Sequence, residues 1–102
     1  MAFTQTSLDT SPVEIFTATR NTVVTVVYLA NTSGSNRTVT VYLVPLSGSA
    51  GALTTVYKDH GVLANTTGAV LTERIVVETG DSIWADADAA SAITATVCSI
   101  GV

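Results

Sequence analysis

Period-two alternation of stiff, β-branched side chains constrains this chain more than any other feature. Across Thr38–Val44, Val39, Val41 and Leu43 fall on one parity and Thr38, Thr40 and Tyr42 on the other. Ser82–Ala87 repeats the pattern, with Ile83, Ala85 and Ala87 facing one way and Trp84, Asp86 and the following Asp88 the other. In Ala92–Val102, Ile93, Ala95 and Val97 alternate with Thr94, Thr96 and Cys98. Val, Ile and Thr together supply 38 of the 102 residues, and side chains branched at Cβ fit a pleated surface better than a helix. No window carries a 3.6-residue apolar stripe, and the Ala-rich Asp86–Ala92 is short enough to read as a turn. The chain is expected to be nearly all β.

The alternating runs predict strands at Val13–Thr19, Thr22–Ala30, Thr38–Val44, Thr55–Lys58, Val70–Glu78, Ser82–Ala87 and Ala92–Val102, with an edge piece near Phe3–Leu8. In Thr22–Ala30 the apolar residues occupy both parities, which predicts cover on both faces. The polar Asn31–Arg37 predicts a hairpin joining its two neighbours. Pro45 ends the next strand, and the Ser-Gly-Ser-Ala-Gly within Leu46–Leu53 predicts a flexible connection crossing between sheets. Asp59–Gly61 reads as a polar corner, and Ala64–Gly68 and Thr79–Asp81 as turns. Seven to eight short strands at this spacing predict one domain over residues 1–102, an antiparallel β-sandwich, Ig-like or jelly-roll-like. Both ends are expected to be fastened to sheets.

Charge narrows the partners. Four basic residues against eight acidic ones give a net charge of −4. Four cations cannot neutralise a phosphate backbone or hold an anionic membrane surface, so neither nucleic acid nor membrane is an expected partner. One Cys excludes an internal disulfide framework and one His excludes the common zinc sites. The opening Met-Ala-Phe-Thr-Gln-Thr-Ser lacks a basic region and an apolar core, so no cleaved leader is expected.

The candidate chemistry is sparse. A Ser-His-Asp unit would have to use His60, which lies in a polar corner and reads as an exposed turn residue. Cys98 has no base or cation near it in sequence and reads as a small, buried or half-buried hydrophobe. Asp81, Asp86 and Asp88 form one acidic cluster, but their spacing is not that of an EF-hand loop, and two carboxylates on a wet face are usually just solvated. Glu14, Glu73 and Glu78 fall on different strands, so no glycosidase pair follows. Asn31, Asn36 and Asn65 each open an Asn-x-Ser/Thr triplet and read as turn residues. Trp84, Tyr42 and Tyr57 suit either a sugar platform or interface anchors. No catalytic, cofactor-binding or metal site is expected, and the chain does not read as an enzyme.

What the surface lacks is more informative. Charged residues make up 12% of the chain, about half the usual ~25%. Natural sheets guard their edges with charge, above all with Lys, and Lys58 is the single Lys. Thr, Ser and Ala must therefore coat much of the exterior, with apolar side chains among them. Burial of that exterior by other subunits is the simplest physical account.

Several motifs in series carry a resemblance. Thr22–Pro45 holds a hairpin-like pair around Asn31-Thr32-Ser33-Gly34 and ends in Val44-Pro45; Gly48-Ser49-Ala50-Gly51 follows, then Glu78-Thr79-Gly80-Asp81-Ser82-Ile83, then an Ala/Ser-rich segment and a closing strand in Ala85–Val102. In this order they resemble a group of small tailed-bacteriophage virion proteins. The chain departs from that group at Thr72–Arg74, where an uninterrupted apolar alternation is expected. The resemblance implies a structural role in the virion: a capsid decoration (cement) protein contacting the major capsid protein, or a tail, baseplate or head-fibre component with a glycan- or host-surface-binding role. With so little surface charge, the chain is expected to assemble as a homo-oligomer, for which a trimer is preferred because closed cyclic symmetry suits a lattice axis.

Overall fold

The structure, a computed structural model, describes residues 2–101. The alternating runs form nine strands: β1 (Ala2–Ser7), β2 (Val13–Thr17), β3 (Thr22–Asn31), β4 (Arg37–Val44), β5 (Thr55–Val62), β6 (Thr67–Val70), β7 (Ile75–Val77), β8 (Ser82–Ala87) and β9 (Ile93–Gly101). A 3-10 turn spans Ala52–Thr54. No helix among the described residues is long and apolar enough to cross a membrane.

Two antiparallel sheets pack face to face. The first has the order β1-β9-β3-β6, with β7 also on β3; the second has the order β2-β8-β4-β5. Taking β6 and β7 as one interrupted strand, the first strand pairs with the last, the second with the seventh, the third with the sixth and the fourth with the fifth. This nesting is the jelly-roll arrangement. It settles the choice left open between jelly-roll and Ig-like sandwiches. The core lies between the sheets: Val24, Val27 and Leu29 from β3 and Val97 from β9 meet Val39, Val41 and Ile83, all fully shielded from solvent. Each such side chain contributes about 1.5–3 kcal/mol on burial.

Several connections differ from the sequence reading. Asn31–Arg37 does not close a hairpin; β3 and β4 belong to different sheets, so this segment carries the chain across the core. Its anchor is Asn31, which is buried. The Asn31 Nδ2 donates to the carbonyls of Ser35 at 2.9 Å and Val62 at 3.0 Å, while Oδ1 accepts from the Ser33 N–H and hydroxyl. A buried amide with such partners holds the chain to a crossing path. The hairpin lies one connection later. β4 and β5 pair in one sheet, so residues 45–54 reverse direction within it instead of crossing. Asp59–Gly61 is not a corner but part of β5, which absorbs the polar residues through two register shifts against β4 and a left-handed Asp59 (φ 50°). The expected strand Val70–Glu78 is split, because Leu71 (φ 53°) and Arg74 (φ 59°) turn left-handed on either side of Thr72 and Glu73. Both pieces stay on one edge of β3. The C-terminal strand is as expected over the described residues; its expected end at Val102 lies outside them.

The mixed parity of β3 has a different cause from the one expected. Val24 pairs with Ser99 but Val26 pairs with Cys98, so one residue is extra on β3. The Thr25 hydroxyl donates to the Cys98 carbonyl at this bulge. Inward positions thus change from even (Val24) to odd (Val27, Leu29), and Val23, Val26 and Tyr28 share the outer side. That side is not covered by the rest of the chain: Val23 and Val26 are half-buried and Tyr28 is exposed.

Candidate functional site

The strands of the first sheet read AFTQTS, TVVTVVYLAN, TGAV, IVV and ITATVCSIG. None contains Asp, Glu, Lys, Arg or His. Every strand of the second sheet contains at least one: Glu14, Arg37, the run Lys58-Asp59-His60, and Asp86. The register arranges the outer face of the charge-free sheet into rows. Val76, Val23 and Ile100 form one row, and Val26, Cys98 and Phe3 the next. Ala69, Tyr28, Thr96 and Gln5 follow, then Thr67, Ala30, Thr94 and Ser7. The face thus grades from apolar at one end to hydroxyl-rich at the other.

Four of its large side chains stand well out: Phe3 is 69% exposed, Val76 65%, Tyr28 45% and Ile100 43%. Four strand positions about 4.8 Å apart and up to ten residues at about 3.3 Å each give a face of roughly 600 Å². The whole face is about the size of one side of a small standard interface. Hydroxyl and methyl groups are far cheaper to dehydrate than ions, so this face suits burial against another protein.

The residues singled out in the sequence scatter. Asp81 caps its own turn: Oδ1 accepts from the Leu46 N–H and Oδ2 from the Glu78 N–H. Asp86 accepts the Tyr42 hydroxyl at 2.6 Å. Asp88 lies 3.8 Å from Arg37. Each acid is engaged separately, and among the described residues no three His, Cys, Asp or Glu side chains are placed to hold a metal ion. Glu14 lies on β2, while Glu73 sits in the turn between β6 and β7 and Glu78 just beyond β7. His60 is half-buried within β5, not an exposed turn residue, and meets Tyr57 edge to face at 5.7 Å. Cys98 is half-buried, as expected, and sits in the middle of the charge-free face.

The aromatic platform does not assemble. Trp84 and Tyr42 are cross-strand neighbours, but Tyr57 pairs with the core residue Val41, and its hydroxyl accepts from the Leu71 N–H. Tyr42 is buried and lines a small pocket with Gly51, Ala52, Thr55 and Lys58. The Trp84 indole N–H is turned to the Ser82 hydroxyl. The hydrogen bond to Asp86 and, second to it, burial push the Tyr42 hydroxyl up to about 12. A mostly apolar groove of about 460 Å³, lined by Leu43, Val44, Pro45 and Ile75–Val77 with Asp81 and Ser82 at its polar side, opens where β4 ends beside β7.

The sequence holds one signal for the charge-free face. All five of its strands lack Asp, Glu, Lys, Arg and His, but that pattern appears only once strands are sorted by sheet, and the expected hairpin placed β4 beside β3. Compared with family models, with curated proteins and with solved structures, the chain matches none of them.

Proposed function

We propose that this protein is a structural subunit of a tailed-bacteriophage virion, a capsid decoration protein that stabilises the particle through subunit contacts. Its charge-free sheet face lies against neighbouring virion proteins, the major capsid protein first among them, and copies of the chain assemble together. The observation that carries this reading is the sorting of charge: the outer face of one sheet has none, while the other sheet keeps Glu14, Lys58 and Asp86. A free-standing domain gains nothing from leaving roughly 600 Å² of such surface in water. The role needs no catalytic residue, and none is assigned.

Magnitudes favour a lattice over an isolated pair. With about half of ~600 Å² apolar, burial supplies about 7 kcal/mol at ~25 cal/mol per Å². Association costs ~4 kcal/mol or more, so one contact is marginal. Contacts repeated on a particle multiply through effective concentration.

Co-sedimentation with particles that lack this chain tests the reading. Wild-type protein pellets with them. Val26→Lys, which places an ammonium in the centre of the face without touching the core, stays in the supernatant while folding normally. Equal pelleting of the two, or failure of the wild type to pellet, overturns it. Electron microscopy of labelled particles separates a head position from a tail or baseplate one.

A further inference from the structure

We infer that β1 is a docking edge for a second copy of this chain, the two β1 strands pairing antiparallel about a two-fold axis through Gln5. This stands apart from any role in a virion.

A sheet edge offers unpaired N–H and C=O groups to any passing strand, and proteins blunt such edges with charge, bulges or breaks. Three of the four edges here are blunted. β2 carries Glu14 and a register shift beside it. β5 carries Lys58, Asp59 and two shifts. The β6/β7 edge is broken by the left-handed Leu71 and Arg74. β1 has none of these devices: Ala2–Ser7 runs unbroken and uncharged against β9. All of it but Thr6 is exposed, including Ala2 and Thr4 on its inward side. Among copies of this chain, the one edge free to answer β1 is another β1.

The hydrogen-bond pattern sets the register. Leu8 donates its N–H to the Ile93 carbonyl. Alternation along an antiparallel ladder then turns the backbone groups of Thr6 and Thr4 toward β9 and those of Ser7, Gln5 and Phe3 away from it. An axis through Gln5 sets Gln5 opposite its own copy and Phe3 opposite Ser7 of the second chain. Every outward N–H and C=O of those three residues then finds a partner. No charge meets a like charge, and the charge-free faces of the two copies join into one surface of double width. Pairing of this kind is isologous and closes at two copies, so it favours an even-numbered assembly over the trimer expected from sequence.

Disulfide trapping reads the register directly. In a Cys98→Ser background, Gln5→Cys places two thiols on residues about 5.5 Å apart between Cα atoms, within disulfide range. Phe3→Cys places them about 13 Å apart along the strands, and Leu53→Cys serves as a fully exposed control. Under mild oxidation at equal concentration, Gln5→Cys yields roughly tenfold more covalent dimer than either control, as a raised effective concentration requires. In parallel, Gln5→Pro removes an outward N–H that β9 does not use, and Gln5→Lys sets like charges on the axis. Sedimentation velocity shows both variants shifted to monomer with unchanged circular dichroism. Trapping at Gln5→Cys no better than at Leu53→Cys overturns the proposal. So does a dimer indifferent to both the Pro and Lys variants, which would place the contact on the sheet face, and so does a wild type that stays monomeric at millimolar concentration.

Discussion

Val26 stands opposite Cys98, where an unbroken ladder from Val24 and Ser99 would have set it opposite Val97. One extra residue at Thr25 therefore decides which side of β3 faces the core. It keeps Val24, Val27 and Leu29 inside and turns Val26 out beside Cys98 and Phe3. Shifting a strand by one residue exchanges its faces, so two single deletions should differ sharply. Deleting Thr25 regularises the ladder without moving any inward side chain and costs about 1 kcal/mol, the ordinary size of a single change. Deleting Tyr28 drives Leu29, or else Val24 and Val27, out of the core and costs several kcal/mol, enough to prevent folding. Urea unfolding followed by circular dichroism distinguishes the two.

The Tyr42–Asp86 hydrogen bond gives the molecule a signature in alkali. A free tyrosine ionises near pH ~10; Tyr42 is pushed up to about 12, first by its hydrogen bond to Asp86 and then by burial. The fold holds the neutral phenol. Its contribution to stability is complete below pH ~10 and is lost as pH rises toward about 12. Ultraviolet titration of phenolate should show Tyr42 ionising late. Tyr42→Phe removes that late step and costs about 1–2 kcal/mol at neutral pH. Asp86→Asn brings the step back toward ~10.

Asn31 is the residue whose loss should harm the fold most for its size. Its carboxamide ties the β3–β4 crossing to the end of β5 through the Val62 carbonyl. Asn31→Ala removes the hydrogen bonds to the Ser35 and Val62 carbonyls and leaves the part-buried Ser33 N–H without its acceptor, at about 1–3 kcal/mol. Asn31→Asp keeps the acceptor but buries a charge and loses the donor, and should be no better. Thermal melts of both variants check this. The same bonds make Asn31 unfit as a glycan acceptor: it is 2% exposed with both polar atoms engaged.

Gly80 holds a left-handed turn (φ 94°) between β7 and β8, and a Cβ there would come within 2.5 Å of the Leu46 side chain. Leu46 is itself exposed and free to yield, so the backbone conformation dominates. Gly80→Ala should cost about 1–2 kcal/mol, and adding Leu46→Ala should recover only a small part of it. A double-mutant cycle by chemical denaturation measures the split.

Strand existence was legible in the sequence because period-two alternation marks it directly; β8 runs over Ser82–Ala87 as expected. Connectivity was not. Asn31–Arg37 has the composition of a hairpin turn, and nothing local distinguishes a segment that reverses within a sheet from one that crosses between two. What distinguishes it is the burial of Asn31 against Val62, a contact set by tertiary structure. The bulge at Thr25 was visible only as mixed parity, which fits two-sided burial equally well. The charge-free face was half-legible: scarcity of charge is a property of composition, but its confinement to one sheet depends on which strands pair.

The most direct test of the central claim is the reactivity of Cys98, which sits in the middle of that face. The measurement is its rate of alkylation by a bulky maleimide in the working assembly compared with the dissociated chain. Cover by neighbouring subunits predicts a fall of roughly tenfold or more, because a thiol reacts only as far as reagent reaches it. Equal rates in the two states would mean that the face stays open to solvent, and would contradict the account.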